Sequence, residues 1–307
     1  MLGNVSLIIA TSIRIISNPF SNVFQKTLTK KGQAPLMVNL ISYTLLSLIA
    51  LFFIDYKSIP TLSNNFWLYV VLGGFTGALG NGFIIMALEK EDLSILGPIN
   101  AYKSVVGMIV AFILIREIPN QFGLLGIALI IAGSYFVLDQ GTEKWSWSIF
   151  KKKGIQYRIW GLLLTGIEAV FDKQVILQSS IKWAFIGWAI FGAIFSLLFI
   201  LFVNKDLLKG AKKMDATIVG NYLLLITCVG LMIVTTNYVF REIQVSYGLA
   251  LFQLSILLSV VLGYRIFNEQ HFSIMISTRF NARWGDVILG EGIESYCNIF
   301  NDCGIQK

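Results

Sequence analysis

Apolar residues run along this chain in stretches long enough to cross a bilayer, which takes about 20 residues per helix. Short polar breaks separate them. The pattern predicts nine spanning helices, at about 5–24, 36–54, 66–88, 94–115, 121–138, 157–177, 183–203, 218–240 and 246–267. Most connections are brief, such as Glu89-Lys90-Glu91-Asp92. The loops at 140–156 and 204–215 are longer and rich in lysine, and the first is the natural divide of the chain.

The pattern occurs twice. Val23-Phe24-Gln25-Lys26 returns as Val170-Phe171-Asp172-Lys173, a shift of 147 residues. Farther on, a shift of 152 residues lays Ser94 on Ser246, Phe112 on Tyr264 and Glu117 on Glu269. An odd number of spans per copy turns the second copy upside down in the membrane, as in many carriers that hold a solute between their halves. The fold expected is an all-α polytopic membrane protein of two inverted five-helix repeats, with the tenth helix missing or degraded. Residues 1–140 form the first repeat, 141–156 a basic loop, 157–272 a four-span second repeat and 273–307 a polar tail. The tail sits where the tenth span belongs, yet it contains Arg279, Arg283 and Asp286. Each such charge costs about 2.5–3.5 kcal/mol at a helix centre. A truncated or frame-shifted end is the expectation there, and a regulatory tail the alternative.

Composition supports a membrane protein. Hydrophobic residues make up 56% of the chain and charged ones only 13%, about half the usual charged fraction of a soluble domain. Mean hydropathy is +0.73. No cleavable signal is expected at the N-terminus. The formal charge of +7 does not indicate nucleic acid, because the basic residues cluster in loops between spans. Cys228 lies in an apolar span while Cys297 and Cys303 lie in the tail, which provides neither a metal quartet nor a disulfide framework. The single histidine, His271, has no partner for a triad or metal site, and no nucleophile-elbow or zincin motif occurs. No enzymatic activity, cofactor or metal is expected.

Candidate solute contacts are the polar residues inside spans, where ionisable groups are costly and usually face the bundle interior. Arg14, Asn18, Asn22 and Lys26 fall four residues apart and form one stripe on the first helix, which Pro19 interrupts. In the second copy Glu168 and Asp172 are spaced the same way. Arg14 and Glu168 lie deep enough to pair with each other, whereas Lys26, Asp172 and Lys173 equally suit snorkelling at helix ends. Asn100 and Lys103 share a face of the fourth span beyond Pro98, and Lys103 is the strongest single candidate. Its counterpart is Ser255, beside Gln253. Asn81 and Asn237 are further hydrogen-bonding candidates, with interhelical contacts as the alternative role. The glycines at 73, 74, 77, 80 and 82 lack the strand and Lys-Ser/Thr of a phosphate loop, so close helix packing is expected of them and of Gly126 and Gly133.

Ala87-Leu88, Leu93-Ser94-Ile95-Leu96-Gly97-Pro98-Ile99, Arg116-Glu117 and the stretch 124–133 together resemble the EamA-type pattern of the drug/metabolite transporter superfamily. The second copy follows it through Glu269, so the resemblance covers roughly 5–272. It implies a ten-helix inverted repeat. The first, third, fourth, sixth, eighth and ninth helices would surround the path of an exported or exchanged metabolite. The lack of a tenth helix departs from this pattern. The resemblance places the N-terminus in the cytoplasm, whereas the lysine-rich loops around residues 30, 152 and 209 place it outside.

The function expected is secondary transport of a small polar metabolite by alternating access, in the cell membrane (the bacterial inner membrane). Contacts would come from Lys103, Arg14, Asn18, Asn100, Glu168, Asn237 and Gln253. The basic and acidic groups together suit a zwitterion such as an amino acid. The alternative is a non-transporting scaffold or an inactive remnant of a transporter. Expected partners are the solute and the lipid bilayer, without nucleic acid, and a homodimer is left open.

Overall fold

The computed structural model describes residues 2–54, 56–57, 62–121, 124–126, 128–129, 132–133, 149–209 and 214–269. Most of the fifth expected span and everything from residue 270 onward, including His271, Cys297 and Cys303, lie outside them. The described residues are helical: α1 (Leu2–Lys30), α2 (Pro35–Leu51), α3 (Asn64–Lys90), α4 (Leu93–Asn100), α5 (Lys103–Ile115), α6 (Lys153–Gln178), α7 (Ile181–Val203), α8 (Ala216–Glu242), α9 (Val245–Phe252) and α10 (Ser255–Phe267).

Their starts are set by local chemistry. Pro35 opens α2 at a position where its missing N–H is not needed. Ser63, Ser180 and Asp215 accept from the amides of Phe66, Trp183 and Ile218, at 3.0, 3.2 and 2.7 Å. Among the described residues, six stretches are long and apolar enough to cross a membrane, with α4–α5 and α9–α10 each counted as one. The 17-residue α2 is shorter, and α6 carries Arg158, Glu168, Asp172 and Lys173 along its length. Ile8, Phe202 and Leu257 are 65%, 91% and 68% exposed, as suits helices whose outer faces meet lipid.

The fourth and ninth spans, expected to be continuous, are each broken. Pro98 has no N–H to offer, and at Ala101 and Tyr102 the amides bond three residues back instead of four, to Pro98 and Ile99. The second break has no proline. Gln253 and Leu254 make the same tight bonds to Ala250 and Leu251. Helices α3, α4 and α5 reappear as α8, α9 and α10 at a constant shift of 152 residues. So do the left-handed residues that end α5 and α10, Arg116 (φ 54°) and Asn268 (φ 53°). Packing follows the same exchange: α3 lies on α6 as α8 lies on α1, and α5 meets α9 as α10 meets α4.

Glycines let α3 and α6 approach. A Cβ on Gly80 would sit 2.7 Å from Thr165 Cγ2 and 3.1 Å from the Thr165 amide. A Cβ on Gly161 would stand 3.1 Å from the Gly80 carbonyl. Backbone cannot yield as a side chain can, so Gly161→Val is expected to cost about 1–3 kcal/mol and to lower the thermal midpoint in detergent. Gly126 and Gly133 differ from this expectation of packing: among the described residues nothing lies within 4 Å of a Cβ added there.

Candidate functional site

A cavity of about 100 Å³ lies in the middle of the bundle. One water needs roughly 10–15 Å³ by this measure, so the space holds on the order of seven to ten water-sized groups, enough for a small solute. Helix α1 contributes Arg14, Asn18 and Asn22 through its four-residue stripe, and α4–α5 contributes Asn100 and Lys103 beside the break. The other half contributes Arg158, Glu168 and Asp172 from α6, and Gln253 and Ser255 from its own break. Both interruptions thus present side chains to one space. Unwound backbone is tolerated at membrane depth where it lines such a cavity.

Neighbouring contacts fix several of these groups. Asn18 Nδ2 donates to Ser255 Oγ at 3.2 Å, joining the two halves. Trp188 Nε1 donates to Glu168 Oε1 at 2.8 Å. Gly77 makes room for this carboxylate, since a Cβ there would collide with Glu168 Oε1. Gly73 does the same more loosely for Asp172, with Oδ1 3.3 Å from the position of a Cβ. The α3 glycines therefore serve packing, as expected, and also admit acidic side chains on α6. Arg158 Nε donates to the Leu96 carbonyl at 3.1 Å. Lys103 makes no hydrogen bond or ion pair among the described residues, and the carboxylates of Glu168 and Asp172 line the same cavity.

Not every expected contact is found. Arg14 and Glu168 share the cavity without forming an ion pair. Arg14 Nε donates to Thr236 Oγ1 at 2.7 Å, its guanidinium carbon lies 4.7 Å over the Phe252 ring, and its Nη1 is buried with no hydrogen-bond partner among the described residues. Asn237 is 1% exposed but does not line the cavity. Asn81 reaches the lining tied to the Tyr43 hydroxyl at 2.8 Å. Arg158 was missed because it falls at the edge of its predicted span, where a basic residue suggests a headgroup contact. Asp172 faces the cavity instead of snorkelling.

Two Lys–Glu contacts flank the cavity. Lys26 Nζ lies 2.9 Å from Glu269 Oε1, with side chains 4% and 2% exposed. This lysine is fully engaged, donating also to the Glu91 carbonyl at 2.9 Å and lying 3.5 Å from Asp92. Glu269 in turn accepts the amides of Leu93 and Ser94 at 2.9 and 3.0 Å, capping α4 of the opposite half. The second contact repeats the first with the halves exchanged. Lys173 donates to the carbonyls of Phe240 and Ile243, and Glu117 accepts the Val245 amide at 2.9 Å at the start of α9. Here the Lys173–Glu117 distance is 4.0 Å.

Burial pushes the Glu269 carboxyl up, but Lys26 and the bonds from Leu93 and Ser94 outweigh it and hold it below its ordinary value of 4.5. A depressed carboxylate stabilises the fold above its unfolded pKa and loses that contribution as pH falls through the folded one. The thermal midpoint is therefore expected to drop below about pH 4.5, and to drop less in Glu269→Gln, when followed by unfolding in detergent.

No curated protein matches the chain. The model of the EamA-like transporter family matches residues 7–139, the segment holding α1 through α5. Over those residues this multi-pass helical membrane protein is similar to the EamA-like transporter family, the one its sequence pattern resembles.

Proposed function

We propose that the chain is a secondary transporter that carries a small polar metabolite through the central cavity by alternating access between two inverted halves. The observation that carries this is convergence: charged and amide side chains from both halves, some of them beside the two helix breaks, line one cavity. Broken helices around a midplane site are a recurring carrier arrangement. The matching segment lengths and exchanged packing of the halves support the inverted relation. We place the protein in the inner membrane of a bacterium, in keeping with the resemblance.

The lining carries three basic side chains, Arg14, Lys103 and Arg158, against two acidic ones, Glu168 and Asp172. A zwitterion with a carboxylate on the Lys103–Arg14 side and an ammonium toward Glu168 and Asp172 fits this distribution, and the cavity favours a short one. The test is uptake into proteoliposomes from a panel of small amino acids, organic acids and uncharged metabolites. Saturable uptake of a zwitterion is expected. Saturable uptake of a dicarboxylate alone would replace the charge assignment, and no uptake of any solute would favour the scaffold or remnant.

A further inference from the structure

Resting on that carrier function, we infer that the two Lys–Glu contacts are a matched pair of locks, one at each end of the solute path, closed in alternation. Helices α4 and α5 together run 23 residues, about 35 Å. The start of this pair is held by Glu269, and Glu117 follows its far end. The α9–α10 pair is held in reverse order: its start meets Glu117, and Glu269 follows its end. Each broken helix is thus fastened to the opposite half at both ends, about one membrane thickness apart.

The left-handed residues Arg116 and Asn268 make this geometry possible. Each ends its helix and turns the chain, and the amide of the following glutamate bonds back to Ala111 or Gly263. The carboxylate is then free to reach the neighbouring half. A pair of locks related by exchange of the halves can exist in two equivalent states, one closed at either end. The structure holds an unequal pair. Lys26–Glu269 is complete at 2.9 Å and buried, while Lys173–Glu117 stands at 4.0 Å with Glu117 16% exposed. Rocking of one half against the other would tighten the second contact as it loosened the first. The lysines are well placed for this. Lys173 remains bonded to the Phe240 and Ile243 carbonyls at the looser lock, so neither charge is stranded during the exchange.

The experiment uses the full chain with Cys228, Cys297 and Cys303 replaced by serine and one reporter, Ser42→Cys, in the cavity lining. A membrane-impermeant thiol reagent is applied to intact cells and to inverted vesicles. Exposed Lys57→Cys and Lys205→Cys, introduced separately, identify the faces at the Glu117 and Glu269 ends. The parent is expected to label faster from the Glu117 end. Glu269→Gln should shift labelling toward the Glu269 end roughly tenfold, the weight of one lost charge-assisted hydrogen bond on a two-state balance. Lys26→Met should shift it the same way, and Glu117→Gln should shift it further toward the Glu117 end. Each variant is also checked for a single species by size exclusion, because a misfolded protein labels from both faces. Shifts of opposite sign support the locks. Shifts of one sign, or none while the reporter still labels, overturn them and leave the carrier intact. A reporter that labels from neither face in the parent and all variants overturns the carrier, and the locks with it.

Discussion

Replacing Lys103 by alanine is expected to lower solute transport by roughly 30- to 1000-fold, corresponding to about 2–4 kcal/mol for removing one buried partner of a charged group. Lys103 lies at the start of α5, just beyond the helix break, and lines the cavity with no fixed partner. A charged group kept in a low-polarity site without a protein partner is costly, and a solute carboxylate would offset that cost. Lys103→Arg should retain part of the transport, because the charge survives but the fork needs more room than a 100 Å³ cavity readily gives. Asn100→Ala, which removes a neutral group, should cost less. Uptake unchanged by Lys103→Ala for every transported solute would remove this residue from the site.

The largest effect on stability is expected from Lys26→Met. Removing one member of a buried ion pair leaves the other charge stranded, at a cost of about 3–5 kcal/mol. Glu269, 4% exposed and facing the gap between α1 and α4, would be that stranded charge. The double replacement Lys26→Met with Glu269→Gln should recover much of the loss, since no charge is then unpaired and the glutamine oxygen still accepts an amide from Leu93 or Ser94. Thermal or denaturant unfolding of the four proteins in one detergent gives the coupling directly. A cost below about 1 kcal/mol for the single replacement, as for a solvated pair, would mean the contact is not buried in the membrane-embedded protein.

Much of this arrangement was legible in the sequence, for a physical reason. Lipid makes polar residues expensive, so the stripe of Arg14, Asn18 and Asn22 could only be tolerated on an interior face, and all three line the cavity. The shift of 152 residues, found from Ser94 and Glu117, holds for three successive helices and for the left-handed residues that follow. What was hidden is mostly long-range. The second helix break has no proline, and nothing local distinguishes Gln253-Leu254 from helix. Lys26 looked equally suited to snorkelling, because its partner lies 243 residues away. Glu117 and Glu269 were visible as a recurring mark, but their role as caps on the opposite half depends on the two copies being packed together. Asn237 had the composition of a site residue, yet its helical phase turns it away from the lining.

In the proposed transport cycle a small polar solute binds in the space between the halves and is carried across by exchange of access. Counterflow measures this most directly. Proteoliposomes are loaded with unlabelled solute and diluted into a trace of the labelled form. A carrier accumulates the label transiently above its equilibrium level, and Lys103→Ala abolishes the overshoot. Label that only equilibrates, or an overshoot that Lys103→Ala leaves untouched, would contradict the account.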